Sequence, residues 1–136
     1  INAGGNLNLR GTKRGKPWKI GIQEPQNEKK LLGILNITDI SVSTSGDYQR
    51  YFVKDGIRYH HILDPKTGSP AKGLMSMTLT GRNETMTDAL STAVFVLGAE
   101  KGAELMKRAG VEGVIVTEGG KITVSDGLKD VFSRKP

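Results

Sequence analysis

Apolar residues recur along most of this chain with a period of two and, in one stretch, with a period of three to four. Gly5-Asn6-Leu7-Asn8-Leu9-Arg10 alternates, as does Trp18-Lys19-Ile20-Gly21-Ile22, and alternation is the mark of a half-buried strand. The basic, turn-rich stretch from Gly11 to Pro17 between them predicts that these two strands pair as a hairpin. Pro25-Gln26-Asn27 breaks the run. Leu31 to Thr44 can open as a helix at Glu28-Lys29-Lys30-Leu31-Leu32, but Ile34, Ile37, Ile40 and Val42 are β-branched and favour strand. Ser45-Gly46-Asp47-Tyr48 is a polar break. Arg50-Tyr51-Phe52-Val53 and Ile57-Arg58-Tyr59-His60 flank an Asp55-Gly56 dipeptide, which signals a tight hairpin because glycine accepts positive φ.

His61 to Lys72 carries Asp-Pro, Thr-Gly and Ser-Pro and reads as a loop, followed by an alternating strand from Met75 to Thr80. The period then changes. Met86, Ala89, Leu90, Ala93, Val94 and Leu97 recur at helical spacing over Asn83 to Leu97, with Asn83 or Thr85 as cap and Gly98 as stop. A second helix is predicted from Ala99 to Ala109. A last hairpin joins Val114–Thr117 to Ile122–Val124, and a short basic tail follows Asp126. The prediction is an α+β fold: a mainly antiparallel sheet with two helices packed on one face, forming a single domain over residues 1–136.

Composition narrows the chemistry. The chain has no cysteine, so disulfides, thiolate metal sites and cysteine nucleophiles are excluded. Its net charge of +6 favours anionic partners such as phosphates and nucleotides. The basic residues are scattered, aromatics are few, and nothing resembles a nucleic-acid-binding tail or a stacking platform. The chain opens at Ile1 without a signal segment and reads as a piece of a longer protein.

Four segments could carry chemistry. His60-His61-Ile62-Leu63-Asp64-Pro65-Lys66-Thr67-Gly68 sets an imidazole three residues before a carboxylate, and histidine suits general base work near neutral pH. The structural alternative is that the histidines decorate a strand end and the Asp-Pro and Thr-Gly pairs only form turns. Asp88 and Thr92 stand four apart on one helix face, two hard oxygen donors of the kind Mg²⁺ takes. Alternatively, Asp88 complements the helix dipole and Thr92 bonds back to a carbonyl. Asn2-Ala3-Gly4-Gly5-Asn6 lets backbone approach a pyrophosphate or simply turns before a strand. Thr44-Ser45-Gly46-Asp47-Tyr48 is a phosphate nest or a bend.

Taken in order, Asn-Ala-Gly-Gly (2–5), Trp-Lys-Ile-Gly-Ile (18–22), Thr-Ser-Gly-Asp-Tyr (44–48), Asp-Gly-Ile-Arg-Tyr-His-His-Ile-Leu-Asp-Pro-Lys-Thr-Gly (55–68) and Thr-Asp-Ala-Leu-Ser-Thr-Ala (87–93) resemble the ApbE family of FAD:protein FMN transferases. The resemblance covers essentially the whole chain and is most specific at the His-Ile-x-Asp-Pro-x-Thr-Gly segment. It implies a T-fold-type α+β architecture, truncated relative to the family because the N-terminal half, with a further metal ligand and much of the FAD pocket, is missing.

It also implies a reaction. Mg²⁺ binds the pyrophosphate of FAD, a threonine hydroxyl of a target flavoprotein attacks the FMN phosphorus, and AMP leaves. The alternatives are FAD pyrophosphatase, with water as the acceptor, and a non-catalytic flavin-nucleotide-binding fragment. Matched residue by residue, His61 is the candidate base and Asp88 and Thr92 are the metal ligands, with Ser91 assisting. Gly5, Ser45 and Ile62 line the nucleotide site, Ile62 largely through its backbone. His60 matches a variable position and receives no role. Asn6 stands where the family usually has Asp. The resemblance further implies an exported, lipid-anchored protein outside the cytoplasm, and the missing half leaves a surface for self-association.

Overall fold

In the computed structural model of the chain, which describes residues 1–135, Asp55 and Gly56 both take positive φ, 53° and 75°. That is the two-residue turn the dipeptide predicts. It joins β6 (Tyr51–Lys54) to β7 (Ile57–His60) in the register Tyr51↔His60 to Lys54↔Ile57. The last predicted hairpin also forms, from β9 (Glu112–Thr117) and β10 (Ile122–Val124).

The N-terminal pairing differs from the prediction. Gly4 and Gly5, both at positive φ, turn β1 (Asn2–Ala3) onto β2 (Asn6–Asn8). The other edge of β2 pairs with β5 (Ser41–Gly46), Leu7 opposite Val42. The Trp18 strand, β3 (Trp18–Glu24), pairs instead with β4 (Asn27–Ile37), Trp18 opposite Ile37. Alternation identifies strands but says nothing of partners. Pro25-Gln26, which seemed only a break, is the turn of the longest ladder. The ambiguous stretch from Leu31 is strand, as favoured, interrupted at Asp39 (φ 52°).

All ladders are antiparallel. One sheet runs β1-β2-β5-β8-β9-β10, where β8 is Leu74–Gly81; a second runs β11-β4-β3, where β11 is Phe132–Arg134. Strand β11 lies in the predicted tail, whose last residue, Pro136, falls outside the described residues. The sheet core divides into two layers. Val42, Met75, Val114 and Val116 pack with Ile22, Leu32, Leu35 and Ile37 of the three-stranded sheet. Met77, Leu79 and Ile115 pack with Val94, Phe95 and Met106 of the helices. Strand β8 is therefore buried along its whole length rather than half-buried.

Both helices lie on one face, as predicted. Helix α1 (Glu84–Leu97) is capped by Asn83, whose Oδ1 accepts from Met86 N at 3.0 Å, and it stops at Gly98. Helix α2 (Ala99–Ala109) ends at Gly110 in the left-handed region. The buried stripe of α1 matches the predicted one at Val94 and, partly buried, at Leu90, but is rotated from it elsewhere. Thr87, Ser91, Val94 and Phe95 face inward, whereas Met86 and Leu97 are 54% and 45% exposed. The cause is the sheet beneath: Ser43 and Ser45 of β5 are small and buried, so α1 seats its own small polar residues there. This rotation brings Asp88 and Thr92 to the rim of the sheet.

Candidate functional site

The contact between β5 and α1 is a chain of hydroxyls with a fixed direction. Ser91 Oγ lies 2.8 Å from the Asp88 carbonyl, which can only accept, so Ser91 donates there. Ser45 Oγ is 2.8 Å from Ser91 Oγ and 3.2 Å from Thr92 Oγ1. With the Ser91 proton committed, Ser45 donates to Ser91 and Thr92 donates to Ser45. The lone pairs of Thr92 Oγ1 are left for a ligand. The sequence alternative had Thr92 bonding back to a carbonyl; Ser91 makes that bond instead. Asp88 is the fifth residue of α1, beyond the first turn where Glu84 complements the dipole.

Across from this wall, hairpin β6–β7 positions His61. His61 N donates to the Arg50 carbonyl at 3.2 Å, and His61 Nδ1 lies 3.3 Å from the same oxygen. A carbonyl cannot donate, so Nδ1 carries the proton and Nε2 keeps its lone pair. His60 does the reverse. It is buried, its Nε2 donates to the Ala71 carbonyl at 3.0 Å, and its ring edge meets Phe95.

These elements border a polar cleft of about 770 Å³ lined by Ser45, His61, Asp88 and Thr92, by Gly4, Asn6, Thr44 and Tyr48 of the two segments also singled out in the sequence, and by Gln23, Glu28, Gln49 and Arg50, which the sequence reading did not select. Gly4 and Asn6 come from the first hairpin, Gln23 and Glu28 from β3–β4, Thr44 from β5, and Tyr48, Gln49 and Arg50 from the segment after it. Gly5 turns the chain beside the cleft, and its neighbours Gly4 and Asn6 are the ones that line it. The Ile62 side chain is in the helix-side core, and its carbonyl accepts from Ala71 N at 3.0 Å. Arg50, exposed in the cleft, is the cation best suited to a phosphate. Its only sequence signal was its place at the start of a predicted strand. Gln23 and Glu28 carried none, because the β3–β4 pairing that brings them in was not predicted.

Tyr48 reaches the cleft because Gly46 is bare: a Cβ there would meet the Tyr48 ring at 2.6 Å. Burial, then Asp47, then Glu24, push the Tyr48 phenol up from 10 to about 12. It is therefore a proton donor to any ligand at working pH. The folded chain holds this proton after the unfolded chain has released it, so stability is expected to fall as pH rises from about 10 to 12, by roughly 2–3 kcal/mol. An absorbance titration should show one of the three tyrosines ionising late, and denaturant midpoints across that window check the loss. Asp47 has its carboxyl raised by burial, which outweighs the attraction of Arg58.

The donor set suits Mg²⁺. Asp88 and Thr92 offer a carboxylate and a hydroxyl with free lone pairs, both oxygen, on an open cleft that admits water and phosphate. Among the described residues no group of three His, Cys, Asp or Glu side chains is placed to hold a metal.

The fold is a mainly antiparallel α+β domain in which Asp88 and Thr92 of the helix wall and His61 of the hairpin end border one polar cleft. The family model described as the ApbE family matches residues 1–129, and the chain belongs to that family. It is 37% identical over 142 residues to the FAD:protein FMN transferase of Treponema pallidum, covering 96% of this chain and 39% of that protein. It is 40% identical over 136 residues to the one from Klebsiella pneumoniae, covering 98% and 42%. Among solved structures, the ApbE protein of Thermotoga maritima superposes with a TM-score of 0.88 at 43% identity over 96% of this chain and 43% of that one. The apo flavinyl transferase ApbE of Pseudomonas stutzeri gives 0.77 at 36% identity, covering 98% and 43%. The chain thus spans about two fifths of the length of the relatives it matches.

Proposed function

We propose that this chain forms the phosphoryl-transfer wall of an FMN transferase, which moves FMN from FAD to a threonine hydroxyl of an acceptor protein and releases AMP. The observation that supports it best is convergence: Ser45, His61, Asp88 and Thr92, from three separate segments, line one cleft. Asp88 and Thr92 would hold Mg²⁺, which supplies charge neutralisation on the pyrophosphate. Ser45 and Ser91 keep the Thr92 proton pointed away from that cation. Arg50 binds phosphate oxygens and Tyr48 donates to them. His61 Nε2 accepts the proton of the attacking hydroxyl as its oxygen bonds to the FMN phosphorus and the bond to AMP breaks.

The test is calorimetric titration of FAD into the chain, with Mg²⁺ and again with EDTA. Heat that appears only with Mg²⁺ is the expected result. Equal binding in EDTA would overturn the metal reading, and no binding in either would assign FAD recognition to the rest of the relatives' length.

A further inference from the structure

Basic residues are scattered along this chain, but acidic ones are not. Residues 1–23 hold five of the 20 lysines and arginines and none of the 14 aspartates and glutamates, so +5 of the net charge of +6 lies there. All five, Arg10, Lys13, Arg14, Lys16 and Lys19, belong to the loop between β2 and β3 or to its flanks.

The loop stands out from the body and is held in one shape. Residues 10–17 are all exposed, as is Lys19. Its base is tied at two points: Trp18 Nε1 donates to the Arg10 carbonyl at 3.2 Å, and Gly11 N donates to Asp39 Oδ1 at 2.8 Å. At its tip Lys13 and Lys16 exchange backbone hydrogen bonds of 2.8 and 3.2 Å around Arg14 and Gly15, both at positive φ, 54° and 76°. This two-residue turn sets Lys13 directly opposite Lys16, and like charges in that relation repel. Among the described residues the salt bridges are those of Arg58 and Lys129, so none of the five cations is paired. Asp39, at the base, is occupied by the Gly11 N–H and the Thr38 hydroxyl.

The loop also lies at the far end of its strands from the cleft. Strand β2 begins at Asn6, which lines the cleft, and runs away from it towards Arg10. Strand β3 starts at Trp18, at the loop's base, and reaches the cleft only at Gln23, about 17 Å along the strand. These cations therefore serve something other than the substrate bound there.

We propose that this loop docks the domain on an anionic lipid bilayer. The charge is convex: the cavity beside the loop's base, lined by Ile1, Leu7, Leu9 and Trp18, takes in Arg10 alone of the five cations, so the tip forms no cradle for a single phosphate. A bilayer requires no cradle, because its summed headgroup charge attracts any lysine or arginine near the surface. The loop's one aromatic, Trp18, is half-buried with its indole N–H bonded to Arg10, which leaves no ring for a nucleobase to stack on. The tip is already ordered, so docking does not have to fix it. Docked in this way, the domain turns its cleft away from the bilayer and leaves it open to substrate.

The test is co-sedimentation of the chain with vesicles of phosphatidylcholine and phosphatidylglycerol in roughly equal parts, and with vesicles of phosphatidylcholine alone. The chain is expected to bind the mixed vesicles at low salt, to leave them at high salt, and to ignore the neutral ones. Lys13→Gln, Arg14→Asn and Lys16→Gln together should lower the partition coefficient by about 100-fold, the cost of three cations near the surface. These side chains are exposed and unpaired, so the variant should fold as the parent does, which circular dichroism checks. A second variant, Lys101→Gln, Lys107→Gln and Lys121→Gln, removes the same charge from exposed positions on α2 and the β9–β10 turn and should bind within a few-fold of the parent.

Absence of binding to the mixed vesicles overturns the proposal, and so does equal binding to the neutral ones. Equal losses in the two variants would assign the effect to net charge and not to the loop. Tighter binding to a single-stranded oligonucleotide or to polyglutamate than to the vesicles, lost in the loop variant, would give the loop a different partner. FAD plays no part in any of these measurements, so the transferase reading stands or falls separately.

Discussion

Replacing Phe95 with alanine is expected to lower the unfolding free energy by about 3–5 kcal/mol, the range for truncating a large aromatic in a closed core. Phe95 has no exposed surface and is the largest fully buried side chain in the domain. It packs with Ile62, Leu74, Met77, Leu79 and Ile115, so removal opens a cavity between α1 and the sheet that rigid β8 cannot collapse to fill. Its ring also meets the edge of His60, whose centroid is 5.7 Å away. A cavity there loosens the loop that leads out of the hairpin. Urea or guanidinium unfolding of the two proteins measures the effect. A loss under about 1 kcal/mol, the size of an ordinary surface-to-intermediate change, would mean that the helix layer is packed differently from the structure described.

Asp88→Ala should have the largest functional effect. The only carboxylate of the proposed Mg²⁺ pair is lost, and a lone hydroxyl cannot hold a cation that gives up its water reluctantly. Mg²⁺-dependent FAD binding, measured by the same calorimetry, is expected to fall below detection. Asp88 is exposed and its side chain makes no hydrogen bond or ion pair among the described residues, so stability should change by no more than about 0.5 kcal/mol. The split between lost binding and kept stability separates a ligand from a structural residue. A variant that binds FAD with Mg²⁺ as the parent does would refute the assignment of Asp88.

The positions of the candidate site residues were legible in short motifs, while their proposed roles came from the resemblance to the ApbE family. His61, Asp88 and Thr92 each sit where a local pattern already restricts them: after an Asp-Gly hairpin, and four apart on a helix. The relay from Thr92 to Ser45 to Ser91 was not readable, since it joins residues 46 and 47 positions apart and depends on which face α1 turns to the sheet. The apolar pattern pointed to Met86, Ala89, Leu90, Ala93, Val94 and Leu97, of which only Val94 is fully buried. The sheet accepted Thr87 and Ser91 instead, because buried Ser43 and Ser45 leave room for small residues and hydroxyls to bond across.

Strands β1 and β11 and the start of β4 escaped it, but by itself the sequence determined most of the strands, both helices, their stops and the Asp55-Gly56 turn. Each of these follows from local preferences of φ, ψ and side-chain period, which act over a few residues. Only the tertiary structure decided that β2 pairs with β5 rather than β3, that Gln23, Glu28 and Arg50 enter the cleft, and that His61 carries its proton on Nδ1. Those outcomes depend on contacts between distant segments, where competing pairings look alike locally and the choice is made by how the layers bury their surfaces together.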